Sequence, residues 1–232
     1  MQWWLIPFLT FALPAQALTL VTENYPPNNY STDDGKTIIG QATDVLREAI
    51  ARAGMSATIT LHPWRNAYKM AQETPDTCVY TTVRTEKREK LFKWVGPLVS
   101  AHWTLYALAD SPIKGNSLDD LKRYVIGGYQ RDAKAIYMQS LGFTVDEANT
   151  EQQSLKKLIS GRIDLWVSST NSAPWNARAL GVKLKPVYTL KEVFGYAACN
   201  LAVPDADIKR LNDALQRMRA DGSHDRLLAP YR

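Results

Sequence analysis

The apolar run Cys78–Val83 passes into two arginines, Arg84 and Arg88, within the stretch CVYTTVRTEKREKLFKWVGPL. A guanidinium is planar, permanently charged and able to hold a carboxylate through two parallel hydrogen bonds. An arginine just past a strand end can offer that fork to an anion inside a cleft, where screening by water is weak. Arg84 has an equally good reading as a solvated surface cation.

Other chemistries find little support. His62, His102 and His224 stand singly, with no His-x-x-x-His or paired-cysteine spacing, so neither a metal nor a cofactor is expected. No Gly-x-Ser-x-Gly elbow and no phosphate loop occurs. Net charge is +5, but the basic residues are scattered and form no arginine-rich or aromatic-basic tract, so nucleic acid is not an expected partner.

The elements that would position the arginines alternate in type. LTLVTE (18–23) reads as a strand, NYPPNNYSTDDGK as turn chemistry, and the segment from Thr43 or Asp44 to Gly54 as a capped helix with Val45, Leu46, Ala49, Ile50 and Ala53 at helical spacing. SATITLH (56–62) is a second strand, Pro63-Trp64 opens a helix through Met70, and Cys78–Val83 is a third strand. This β-α-β-α-β order predicts a parallel sheet covered by helices. After an apolar connecting segment, Leu98–Ala109, the rhythm restarts. SLDDLKR reads as a short helix, YVIGG as a strand, RDAKAIYMQSLGF and EQQSLKKLISGR as helices, and IDLWVSS as a buried strand. The helix DIKRLNDALQRMRA closes the chain with Ile208, Leu211, Ala214, Leu215 and Met218 on one face. No low-complexity linker separates the two units, which predicts two lobes joined by strands.

In open α/β sheets ligands gather beyond the carboxyl ends of strands, near helix N-termini. That rule selects 23–30, 81–88, 129–132 and 168–171. The N-terminal run Trp3–Leu13 followed by Ala15-Gln16-Ala17 reads as a signal peptide cleaved after Ala17, and it is too short to span a bilayer. No Lys or Arg precedes that run, so a retained anchor is the alternative. Export would place Cys78 and Cys199 in an oxidising compartment, where they either pair or stay as two buried thiols. With 45% hydrophobic and 22% charged residues, the remainder is expected to fold, as a monomer.

TENYPPNNY, GQATDVLREAIARAG, TTVRTEKREKLFKWVGPL, SLDDLKRYVIGG, RIDLWV and LNDALQRMRADGSHDRLL occur in an order that resembles the periplasmic solute-binding proteins of family 3, which feed polar amino acids to ABC transporters. The resemblance covers nearly the whole chain after residue 17. It implies the type II periplasmic binding protein fold, α/β with two Rossmann-like lobes: 18–106 with 196–232, and 107–195. Two hinge strands, bending near Tyr106 and Gly195, would let the lobes shut on a small polar ligand, a carboxylate-bearing one on this reading. It also implies a periplasmic location and an ABC permease as partner.

Carried over residue by residue, the resemblance puts Arg88 at the carboxylate-binding position, Thr81 and Thr82 among the small hydroxyl positions, and Tyr25 and Trp64 as the aromatic sandwich. Arg84 matches no family position. Val83 stands where a hydroxyl is common, and Ser168 and Ser169 stand where amino-acid binders carry an acid for the α-ammonium. A hydroxyl cannot neutralise a buried ammonium, so an ordinary α-amino acid is disfavoured. Gln130, Arg131 and Asp132 replace a Gly-Ser/Thr loop; Arg131 adds a second candidate anion clamp, and Asp132 is either a helix cap or a relocated ammonium partner. Glu23 can pair with Arg88 or with a cationic part of the ligand. Two alternatives stay open: a prephenate-type dehydratase on the same fold, and a binding protein reporting to a separate sensor.

Overall fold

In the computed structural model, residues 17–33 and 35–231 are described. Nearly all of the candidate signal peptide, 1–16, lies outside them. The first strand, β1 (Leu18–Thr22), leads through a small hairpin, β2 (Tyr30–Ser31) and β3 (Ile38–Ile39), into α1 (Gln41–Arg52). The cap is Gly40, at φ 126, and not Thr43 or Asp44, which lie inside the first turn. A Cβ at Gly40 would stand 2.5 Å from the Asn28 carbonyl oxygen, so glycine lets the helix start directly against the Pro26-Pro27 loop. Next come β4 (Ala57–Leu61), α2 (Trp64–Glu73), β5 (Thr77–Val83) and the single turn α3 (Glu86–Glu89). β1 pairs in parallel with both β4 and β5, as the alternation predicts.

The segment read as a connector is a 16-residue strand, β6 (Lys93–Leu108). The second unit follows as β7 (Ile126–Tyr129), α4 (Ala133–Ser140), β8 (Val145–Ala148), α5 (Glu151–Ile159), β9 (Leu165–Ser169) and α6 (Ser172–Ala179). SLDDLKR gives only a 3₁₀ turn at Asp119–Leu121. A second long strand, β10 (Leu184–Cys199), returns beside β6, and α7 (Asp205–Ala220) and α8 (Ser223–Leu228) end the chain against α1.

One curled, mixed α/β sheet results, in the order β4-β1-β5-β10-β6-β9-β7-β8. Its strands are parallel at both ends and antiparallel where β6 and β10 run through the middle. Apolar side chains bury themselves separately at each end. Leu20, Leu46, Tyr80, Leu98 and Leu215 belong to the core around α1 and α7, whereas Leu105, Ile126, Met138 and Val167 belong to the core behind β7 and β9. The molecule thus has two halves bridged by β6 and β10. Tyr106 lies inside the second half, paired with Trp166, so the crossing comes earlier than the expected hinge, at Val99–Trp103 opposite Lys191–Gly195. At Gly195 an added Cβ would stand 2.5 Å from Thr81 Cγ2, and the bare backbone permits this close strand approach. Cys78 and Cys199 are opposed in the β5–β10 register and joined by a disulfide, S–S 2.09 Å.

Candidate functional site

The strand ends of both halves face one another across a gap of about 570 Å³ of atom-free space, its open mouth included. Arg88 enters from α3. Its Nη1 donates to the Val83 carbonyl at 3.1 Å, and its guanidinium lies over Trp64 and Tyr68, 5.6 and 5.2 Å from the ring centres. No carboxylate stands within ion-pair distance of it among the described residues. Stacking on two rings fixes the fork while leaving most of its N–H donors uncommitted.

The Tyr25 loop is fixed from below. Asn29 Nδ2 donates to the Glu23 carbonyl at 2.7 Å, Thr81 Oγ1 donates to Asn29 Oδ1 at 2.6 Å, and Gln41 Nε2 donates to Asn28 Oδ1 at 2.6 Å. These bonds satisfy the buried Asn29 amide and the Asn28 side-chain oxygen, and hold Glu23 and Tyr25 at the cleft wall. The Tyr129 hydroxyl, from the other half, donates to Glu23 Oε2 at 2.7 Å and so ties the two walls together.

Opposite Tyr25 lies a buried ionic group. Lys134, only 2% exposed, stands 3.0 Å from Asp132 Oδ1, 3.1 Å from Glu151 Oε1 and 3.2 Å from the Tyr25 hydroxyl, with its ammonium 5.2 Å from the Tyr25 ring centre. Burial works against its charge, but Asp132, Tyr25 and Glu151 outweigh it and hold the Lys134 pKa well above its usual value. Asp132 also caps α4, accepting from the Lys134 N–H at 2.7 Å. Asp132 is thus the helix cap, the first of its two readings, and its ionic contact is with the protein's own Lys134.

The expected residues separate into two sets. Glu23, Tyr25, Trp64, Thr81, Arg88, Asp132 and Ser169 all line this gap, and Ser169 Oγ accepts from the Ser172 N–H at 3.1 Å. Four others do not line it. Thr82 is fully buried and turns its hydroxyl to the Val79 carbonyl, because side chains alternate along β5 and Thr81 takes the cleft side. Arg84 is bound by Glu89, at 2.7 Å through Nε, and packs over Trp94 and Tyr196 in an adjoining groove that shares Arg88 and Trp103 with the gap. Arg131 is exposed at φ 59, outside the gap. Ser168 points behind β9, donating to Glu151 Oε2 at 3.2 Å. Lys134 and Glu151 were not singled out in the sequence. A lysine two residues after a helix cap reads as an ordinary solvated helix residue, and only the fold puts it beside two acids.

The sequence profile of the bacterial extracellular solute-binding proteins, family 3, matches residues 18–232. The chain belongs to this family. Its role is therefore solute binding, and the dehydratase alternative falls away. Among curated proteins, none matches the chain. Solved structures that resemble it include a histidine kinase sensor domain with similarity to periplasmic binding proteins (18% identity, TM-score 0.84, 93% of this chain and 96% of the other). They also include an ancestral arginine-binding protein bound to arginine (20%, 0.78, 93% and 97%). A third is an arginine transport-system periplasmic binding protein from Legionella pneumophila (22%, 0.76, 93% and 99%). At these identities the likeness is one of fold: the type II periplasmic binding protein architecture. Among the described residues no helix is long and apolar enough to cross a membrane.

Glu23 gives this solute-binding protein a pH dependence of defined sign. Burial, reinforced by Asp132 and Glu151 and opposed by Tyr129 and Lys134, pushes its carboxyl up to about 8. A carboxyl raised in the folded state favours folding below its unfolded value, near 4.5, and this contribution is lost as pH climbs toward 8. Denaturation of wild type and Glu23→Gln should therefore give a stability difference that is constant near pH 4, turns progressively against wild type between about pH 4.5 and 8, and levels off above. A difference that is flat over this window would place Glu23 in its ordinary ionised state.

Proposed function

We propose that the chain is a periplasmic solute-binding protein, exported by a signal peptide at residues 1–17, that captures a small carboxylate-bearing solute and delivers it to an ABC permease. The two halves close by bending of β6 and β10 where they cross between them, at Val99–Trp103 opposite Lys191–Gly195. The observation that carries this reading is Arg88: a guanidinium held on two aromatic faces, aimed into the gap and lacking any acidic partner of its own among the described residues. Thr81, Ser169 and the backbone near Asn171 supply neutral donors and acceptors, while Tyr25 and Trp64 cover apolar parts of the solute. Capture of this kind requires no bond making.

The test is thermal denaturation of the mature protein across a panel of small carboxylates. A true solute at about a hundred times its Kd should stabilise the fold by about 2.7 kcal/mol. No response to any carboxylate, set against a response to neutral or purely cationic solutes, would sink the reading. A second reading, a binding protein that reports to a separate sensor, is favoured by the likeness to a histidine kinase sensor domain. Loss of solute uptake on deletion of the protein speaks for the permease; loss of a transcriptional response with uptake intact speaks for the sensor.

A further inference from the structure

We propose that Lys134 fills the ammonium position of the cleft itself, so that the solute is a carboxylic acid with no α-ammonium group. This rests on the reading of Arg88 as the carboxylate clamp. An amino acid presents two charges to its site, and each must be met when water is removed. Here the carboxylate would find Arg88 uncommitted. The ammonium would find each nearby acid already engaged: Asp132 and Glu151 share the Lys134 ammonium at 3.0 and 3.1 Å, and Glu23 is bonded to Tyr129 at 2.7 Å.

On the cleft side of β9 stands Ser169, 5% exposed, a neutral hydroxyl whose oxygen already accepts the Ser172 N–H. A ligand ammonium entering here would sit beside the buried lysine, like charge against like charge. The lysine, by contrast, needs no ligand. It is 2% exposed and bonded to Tyr25 from the opposite half, so it links the two walls, and its single positive charge offsets one of the two acids it touches. The class that fits is a desamino, 2-hydroxy or 2-oxo acid with an apolar body to lie among Tyr25, Trp64 and Trp103.

The experiment is calorimetric titration at pH 7 with matched pairs that differ at the α-carbon alone: 4-methylpentanoate and 2-oxo-4-methylpentanoate against leucine, and 3-phenylpropanoate against phenylalanine. In the wild type the member without the amino group should bind at least about tenfold tighter, the equivalent of one modest ionic contact. Lys134→Met should shift that preference toward the amino acid by about tenfold or more, because Asp132 and Glu151 become available. Should Lys134→Met fail to fold through its stranded acids, Lys134→Met combined with Glu151→Gln removes cation and acid together and should show the same shift. An amino acid binding as well as or better than its partner to the wild type overturns the proposal and leaves the Arg88 reading standing. If no pair binds at all, and other carboxylates also fail, the reading beneath falls and takes this one with it.

Discussion

Replacing Arg88 by alanine should abolish carboxylate capture while the protein stays folded. Truncating one member of a desolvated, hydrogen-bonded charge pair costs about 2–5 kcal/mol, or roughly thirty- to several-thousand-fold in Kd. The fold should tolerate the change. Arg88 sits half-exposed on the single turn α3, none of whose residues is buried, and its Nη1 donates to a strand-end carbonyl. Arg88→Lys separates shape from charge: an ammonium keeps the attraction but loses the bidentate fork and the planar stacking on Trp64 and Tyr68, so an intermediate loss is expected. Arg84→Ala is the internal control. Its guanidinium is already bound by Glu89 and does not line the gap, so solute affinity should be unchanged. An undiminished response from Arg88→Ala would remove this side chain from the site and require another cation to hold the anion.

Why Arg88 was legible in the sequence while Lys134 was not follows from the kind of information each depends on. Strand ends and helix starts are local: β1, β4 and β5 announce themselves by short apolar runs, and the rule that ligands collect past their carboxyl ends selects the stretches holding Glu23, Tyr25, Thr81 and Arg88 without coordinates, while the resemblance to family 3 picks Arg88 over Arg84. Side-chain facing is less local. Thr81 and Thr82 are chemically identical, and only the register of β5 against β10 decides that Thr81 meets the cleft. The same ambiguity applies to Ser168 and Ser169 on β9.

β6 was hardest to read. Its burial alternates irregularly as it leaves one core, crosses open space near Ser100 and His102 and enters the other core, so no single period describes it, and Gly96-Pro97 interrupts it near the start. Pairing with β10 along nearly its whole length makes it a strand, and that partner lies some ninety residues away in sequence. Lys134 combines both difficulties. Its neighbours come from α5 and from the Tyr25 loop of the opposite half, so nothing near it in sequence signals that it is buried.

Loss of the Cys78–Cys199 bond should cost about 4–5 kcal/mol of unfolding free energy. The bridge spans 121 residues of sequence, and on the chain-entropy argument a loop of that length restricts the unfolded ensemble by about this much. Domains of ordinary stability hold only about 5–15 kcal/mol in all, so the double variant Cys78→Ala/Cys199→Ala should be marginal at physiological temperature. The folded molecule should hardly notice. Both cysteines are fully buried at directly opposed positions of β5 and β10, whose backbone pairing runs from Gly195 to Cys199 and persists without the sulfur link. The measurement is denaturant unfolding of wild type and variant, paired with solute titration at a temperature where both are folded. The expected result is a large fall in the midpoint with solute affinity unchanged, because the bond sits at the inner end of β10, four positions beyond Gly195 at the cleft. If affinity falls together with stability, the bond also sets the angle at which β10 leaves the first half, and the cleft walls depend on it directly. If stability barely changes, the unfolded chain already keeps β5 and β10 near each other, and the entropic argument does not apply to this protein.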